Sequence, residues 1–445
     1  MKLKVVIIGA SFAGIAAAFG VRKKFKRADI YIIDQQSEIG YLPGGLNLFA
    51  YHQIASLKEA RFITESELQK ENIQLMLQSK VIKLHTKNYA LTYIKKGQEY
   101  LFSYDKLILA TGSSQWSEKI SGSSSKKVLK YKFFEDSCHS LPMLESSRKV
   151  SIIGGGQIGI EAIDSLLKMG KEVCVFESMD YLLFKYFDKE MIQPVYEEML
   201  KRGVLFHFNE PIDKIESLEN GLSIHTNKEE YFSDVAVFAM NVRPDLSYLD
   251  SKIKRHIDGT VLVDEYLRTS QKDVFAAGDC IQIAHSVLGE SFYIPLVNNA
   301  VRTGLAVSQN LLVPTAEFIG SIRTIGTRAV GYYIASTGLT EEESLFYPQE
   351  VGSVHIKQRS SLFSGEEISG KLIFERATHR LLGAQLVSKD NILEKINTLA
   401  LSIQVGQCLE EVYQKEYFFH PFYSSPLDIT NLLGIKGVWE EQNES

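Results

Sequence analysis

Two acidic residues occupy matching places in two similar stretches of this chain. In the first, Gly9-Ala10-Ser11-Phe12-Ala13-Gly14 is followed by Asp34, 20 residues past Gly14. In the second, Gly154-Gly155-Gly156-Gln157-Ile158-Gly159 is followed by Glu177, 18 residues past Gly159. The chemistry served by this spacing is dinucleotide binding. The glycines permit a tight turn and close backbone approach to a pyrophosphate. The helix that follows offers free N–H groups, and the acid accepts from a ribose hydroxyl.

Such a loop works only between a strand and a helix. The runs KVVII (4–8) and KVSII (149–153) are short and β-branched, suited to strands covered on both faces. ADIYIID and KEVCVFE supply the second strands, ending at Asp34 and Glu177, and IEAIDSLLKMG reads as the helix of the second unit. The first loop departs from the pattern only in its middle glycine, which is Ser11. An acid at 177, with no arginine after it, favours a free ribose 2′-hydroxyl and opposes a 2′-phosphate, so the second cradle is expected to take NADH. Two further hydrophobic strands end in turns, at Ala110-Thr111-Gly112 and at Gly278-Asp279. Asp279 is placed to accept from a sugar hydroxyl.

Bulk properties exclude several alternatives. The 445 residues carry a net charge of −5, so no general attraction to nucleic acid or anionic membrane is implied. Four cysteines, at 138, 174, 280 and 408, form no close pair, and the ten histidines show no metal-ligand spacing. That usage fits a reducing cytoplasm. The start MKLKVVIIGASFAG has the look of a signal peptide, but strand, turn and helix account for it better. No other segment reaches the ~20 apolar residues that span a bilayer.

Together these pieces resemble the FAD- and NAD(P)H-dependent pyridine nucleotide-disulfide oxidoreductases, and among them NADH oxidases, NADH peroxidases and coenzyme A-disulfide reductases. The resemblance is carried by GASFAG with Asp34, LILATG, GGGQIG with Glu177, VRPD (242–245), VFAAGD (274–279), STGLTEEE and FFHPFYSSP. It implies an α/β fold of two Rossmann-like dinucleotide-binding domains and a C-terminal α+β dimerisation domain. The FAD domain would be 1–115 with 245–319, the NAD(H) domain 116–244, and the dimerisation domain 320–445. It also implies FAD and NADH as cofactors, and a homodimer. The positions it assigns to cofactor binding are Gly9, Ser11, Phe12, Ala13, Gly14, Asp34, Gln35, Gly44, Ala110, Thr111, Gly112, Gly278 and Asp279, with Gly154, Gly156, Gln157, Ile158, Gly159 and Glu177 in the second cradle. Glu161 should lie near the nicotinamide and flavin.

The stretch DQQSEIGYLPGGLNLF departs from the resemblance where chemistry is expected. Relatives place a single redox cysteine there, and counting from Asp34 its position is Gly44. Phe12 stands where relatives often carry a catalytic histidine. Gln157 replaces a gating tyrosine, and Asn241 replaces a glycine. A thiolate passes electrons to a disulfide or records an oxidation as sulfenic acid. Glycine has no side chain for either task, and phenylalanine moves no protons. Hydride transfer between stacked rings needs no cysteine. The expected activity is therefore an NADH oxidoreductase passing electrons to oxygen, as peroxide, or to another small acceptor. The residues at its centre are Gly44, Phe12 and Glu161, with His420 and Tyr423 placed to reach a partner's flavin. The alternatives are a coenzyme A-disulfide reductase or NADH peroxidase using another thiol, and a non-catalytic FAD- and NADH-binding sensor.

Overall fold

A computed structural model describes residues 2–115, 120–240, 242–363 and 365–444. Its first sheet is parallel, with strands in the spatial order Val274–Ala276, Lys106–Leu109, Lys4–Ile8, Asp29–Ile33, Ile73–Met76. Val5 faces Ile30 on one side and Lys106 on the other. The run KVVII is a strand over its whole length, and its last four residues are buried. That follows from apolar β-branched side chains covered on both faces. One of those faces is closed by the helix Phe12–Lys24, which packs against Val297–Asn310.

The second sheet repeats the plan in the order Leu205–Phe208, Glu172–Glu177, Lys149–Ile153, Val235–Phe238, Val128–Leu129, all parallel. Its helix begins at Gln157, one turn earlier than the apolar run IEAIDSLLKMG suggests, because Gly156 takes extended backbone and caps it. The third sheet is antiparallel and five-stranded, from Ile325–Ala329 to Leu381–Ser388 in chain order, with Leu393–Gln404 and Ile429–Glu444 packed on it. Antiparallel pairing and packed helices make this the α+β unit expected from GKLIF and LLGAQLV, whose strands are buried almost throughout. Among the described residues, no helix is long and apolar enough to cross a membrane.

Candidate active site

In each cradle the first and last glycines answer a specific backbone demand. Gly9 has φ +114°, and a Cβ there would collide with the Ala110 carbonyl; one at Gly14 would collide with the Gly9 carbonyl. A Cβ at Gly159 would likewise collide with the Gly154 carbonyl, while Gly154 is set by its φ of +105° and only tight contacts with Met240 and Ala239. The acids close the loops from behind. Asp34 accepts from the Ala10 N–H at 2.6 Å and the Gln36 N–H at 2.8 Å. Glu177 accepts from the Gly155 N–H at 2.6 Å and the Met179 N–H at 2.9 Å. Burial pushes the Asp34 carboxyl up, against those hydrogen bonds.

Between the two parallel sheets lies a cavity of about 1090 Å³. From the first cradle Gly9, Ser11, Phe12, Ala13, Asp34 and Gln35 line it. Gly44, Ala110, Thr111, Gly112 and Asp279 line it as well. The second cradle contributes Gln157, Ile158 and Glu161. Gly14, Gly154, Gly156, Gly159, Glu177 and Gly278 do not reach this wall. They shape the loops behind it, and Asn241 lies outside the described residues. A hollow of about 270 Å³ shares Gly9, Asp34, Gln35 and Thr111, and extends to Lys80, Val81 and Ile82. No pattern in the sequence marks those three.

These residues suit a bound FAD. The Thr111 hydroxyl is buried with no hydrogen-bond partner in the protein, and a Cβ at Gly9 beside it would collide with the Ala110 carbonyl. Asp279 accepts from the Ser113 hydroxyl at 2.6 Å and pairs with the Lys132 ammonium at 3.1 Å. Lys132 also bonds Ser113. Neither Ser113 nor Lys132 carries a local signal that would single it out.

Gly44 sits at φ −90°, an ordinary conformation, and opens the helix Gly45–Ala50. A Cβ there would meet nothing within 4 Å. Phe12, also on the cavity wall, stacks on Phe62, with centroids 4.1 Å apart and planes 9° from parallel. None of the four cysteines lines the cavity. Cys280 is fully buried, its thiol donating to the Leu109 and Ala277 carbonyls, and burial pushes it up to about 12. Cys174 is likewise pushed up to about 12 by burial. Cys138 is exposed on the helix Phe134–Ser146.

Glu161 is held from two sides. Its Oε1 accepts from the Thr327 hydroxyl at 2.7 Å and the Gln157 amide at 3.2 Å. Burial raises its carboxyl, against those bonds. Thr327 belongs to the third sheet, so the C-terminal unit takes part in the site. One turn along the helix, Asp164 accepts from the Tyr51 hydroxyl at 2.8 Å, and the Lys168 ammonium lies 3.9 Å from the Tyr51 ring centre. Sequence reasoning missed this group. His420 and Tyr423 stay away from the cavity of their own chain. Their rings stack at 4.7 Å on an exposed aromatic segment with Phe418, Phe419 and Phe422.

Comparison with known proteins agrees with this architecture. The family model "Pyridine nucleotide-disulphide oxidoreductase" matches residues 3–304, and the dimerisation-domain model of that family matches 329–428. The crystal structure of a pyridine nucleotide-disulfide family oxidoreductase from Enterococcus faecalis V583 is 50% identical. It covers 99% of this chain and 100% of its own, with a TM-score of 0.91. The water-forming NADH oxidase of Lactobacillus brevis, solved with NADH, is 26% identical with full coverage of both chains and a TM-score of 0.95. An NADH oxidase of Enterococcus faecalis is 27% identical over 97% of this chain and 98% of its own. With residues of both glycine-loop units on one cavity wall and both family models matched, the chain belongs to the pyridine nucleotide-disulphide oxidoreductase family and is an oxidoreductase working with FAD and NADH.

Proposed function

We propose that this enzyme carries electrons from NADH to a small acceptor without a redox thiol, and that oxygen as acceptor leaves as hydrogen peroxide. FAD would be held by the loop Gly9–Gly14, by Asp34 and Thr111, and by Asp279 with Lys132 behind it. NADH would be held by the loop Gly154–Gly159, with Glu177 under its ribose and Ile158 and Glu161 near its reactive end. When bound, FAD takes a hydride from the nicotinamide and hands two electrons on. The protein's part is to hold the reacting groups in register and keep competing water out.

The observation that carries this reading is Gly44. It faces the cavity with open space above it and no cysteine on the surrounding wall. Two electrons take oxygen to peroxide. Water needs two more electrons and cleavage of the O–O bond, work that a sulfur could perform by becoming a sulfenic acid. Gly44 offers no such atom, and Phe12 offers no proton. The Lactobacillus brevis oxidase forms water; this chain is expected to differ from it. The test is to oxidise NADH aerobically and then add catalase. Return of about half the consumed oxygen supports peroxide, because catalase makes one oxygen from two peroxides. No return, with two NADH used per oxygen, refutes the reading.

The working unit of this reading is a homodimer. The match to a dimerisation domain and the exposed aromatic segment 418–423 support it.

A further inference from the structure

Reduction of a small acceptor A by NADH balances as NADH + A + H⁺ → NAD⁺ + AH₂. The hydride brings both electrons and one hydrogen. The second hydrogen is a proton, and it enters in the half of the reaction that consumes A. Phe12 cannot supply it.

Most titratable groups on the cavity wall are already engaged. Asp34 is tied to the Ala10 and Gln36 N–H groups, and Asp279 to Ser113 and Lys132. Tyr131 is fully buried and burial raises it far above its ordinary value. Three others form a series. Glu161, Asp164 and Lys168 stand at i, i+3 and i+7 of the helix Gln157–Lys168, hence on one face, and all three line the cavity. Lys168 is exposed, Asp164 is 6% exposed, and Glu161 lies half-buried against Gln157. Tyr51 spans the outer part, its hydroxyl on Asp164 and its ring beneath the Lys168 ammonium. The facing elements present Thr327 and Arg328 from the third sheet, and Tyr131 and Lys132 from the segment before the helix Phe134–Ser146.

Among the described residues no direct hydrogen bond joins these three side chains. We propose that Lys168, Asp164 and Glu161 line a water-bridged path along this helix face that carries the second proton from solvent to the acceptor, with Tyr51 holding Asp164 in line. The path takes the place of the missing histidine. It rests on the reading above, that the acceptor is reduced in this cavity.

The test separates the two halves of the reaction in stopped flow, using Asp164→Asn. Anaerobic bleaching of the flavin band by NADH takes no solvent proton, so it should stay within about twofold of the parent enzyme. Recovery of the band on mixing with oxygen should slow at least about tenfold. The solvent deuterium effect on that recovery should grow, and its pH profile should shift. Asp164→Glu should restore rate and profile, and Tyr51→Phe should fall between. Unchanged FAD content and melting temperature report an intact fold. Unchanged recovery and deuterium effect in Asp164→Asn would overturn the path. Equal slowing of both halves would also overturn it, because Asp164 would then be holding NADH rather than moving a proton. A parent enzyme that NADH does not bleach would refute the proposed function itself, and the path with it.

Discussion

Replacing Gly44 by cysteine restores the missing sulfur at a position the fold has left open. Its φ of −90° suits any residue, and an added Cβ meets nothing within 4 Å. The chain loses unfolded-state freedom, which favours the fold by about 0.4–1 kcal/mol, while giving up a glycine helix cap costs a few tenths. The net change should be within about 1 kcal/mol of zero, a shift of about 2 °C or less in melting temperature for a chain of this size. The adjacent glycine supplies the control. A Cβ at Gly45 would stand 2.6 Å from both the Ala60 Cβ and the Tyr41 hydroxyl oxygen. Overpacking of that kind costs about 1–3 kcal/mol, so Gly45→Ala should melt several degrees lower. The catalytic expectation is as sharp. Gly44→Cys alone should still release peroxide, since Phe12 gives no proton where relatives often carry a histidine. Adding Phe12→His supplies one, at a cost of about 0.5–1.5 kcal/mol for the lost stack on Phe62. The assays are thermal melts of the three variants and the oxygen returned by catalase. Equal destabilisation at 44 and 45 would refute the packing argument. A parent enzyme that already makes water would refute the chemical one.

Other outcomes follow from contacts already described. Asp279→Ala removes the acceptor for Ser113 and the partner of Lys132, and should weaken FAD binding by about 1–3 kcal/mol, measured by titrating apoprotein with FAD. Glu177→Gln should narrow a preference for NADH over NADPH of about tenfold, read as the ratio of kcat/KM values; an unchanged ratio would remove Glu177 from the ribose site. Lys371 is 2% exposed and its ammonium contacts Asp188 at 2.9 Å, Glu341 at 2.5 Å, and Glu190, joining the second and third sheets' units. Burial lowers its proton affinity, but those three carboxylates raise it more. Lys371→Met should therefore destabilise by about 3–5 kcal/mol. Thermal melts of the variant beside the parent check this, and an unchanged melting temperature would refute it.

What the sequence revealed was local. Lys4–Ile8 and Lys149–Ile153 were legible to the residue because apolar β-branched runs ending in glycine have few other uses. The glycine turns and the acids that bond their backbone were legible because spacing along the chain encodes them. The strand before Gly278 is only Val274–Ala276, shorter than its hydrophobic run suggests, because the following turn takes over at Gly278. The contacts that finish the site were not legible. Thr327 reaches Glu161 across 166 positions of sequence, Lys132 reaches Asp279 across 147, and Tyr51 reaches Asp164 across 113. A lysine, a threonine or a tyrosine carries no local sign of such a partner. His420 and Tyr423 remain expectations of another kind, since a single chain leaves them outside its own cavity.

The strand order of the first sheet also governs the order in which the enzyme becomes complete on the ribosome. Val274–Ala276 is the edge strand beside Lys106–Leu109, and Asp279 follows it directly. The whole second sheet is synthesised between those neighbours. A nascent chain that has finished its first cradle thus lacks both the last strand of that sheet and Asp279, an acid of the cavity wall, until more than half of its length has emerged. Glu161 gains Thr327 later still. A peptide interrupted before residue 274 should accordingly stay colourless and leak no electrons to oxygen.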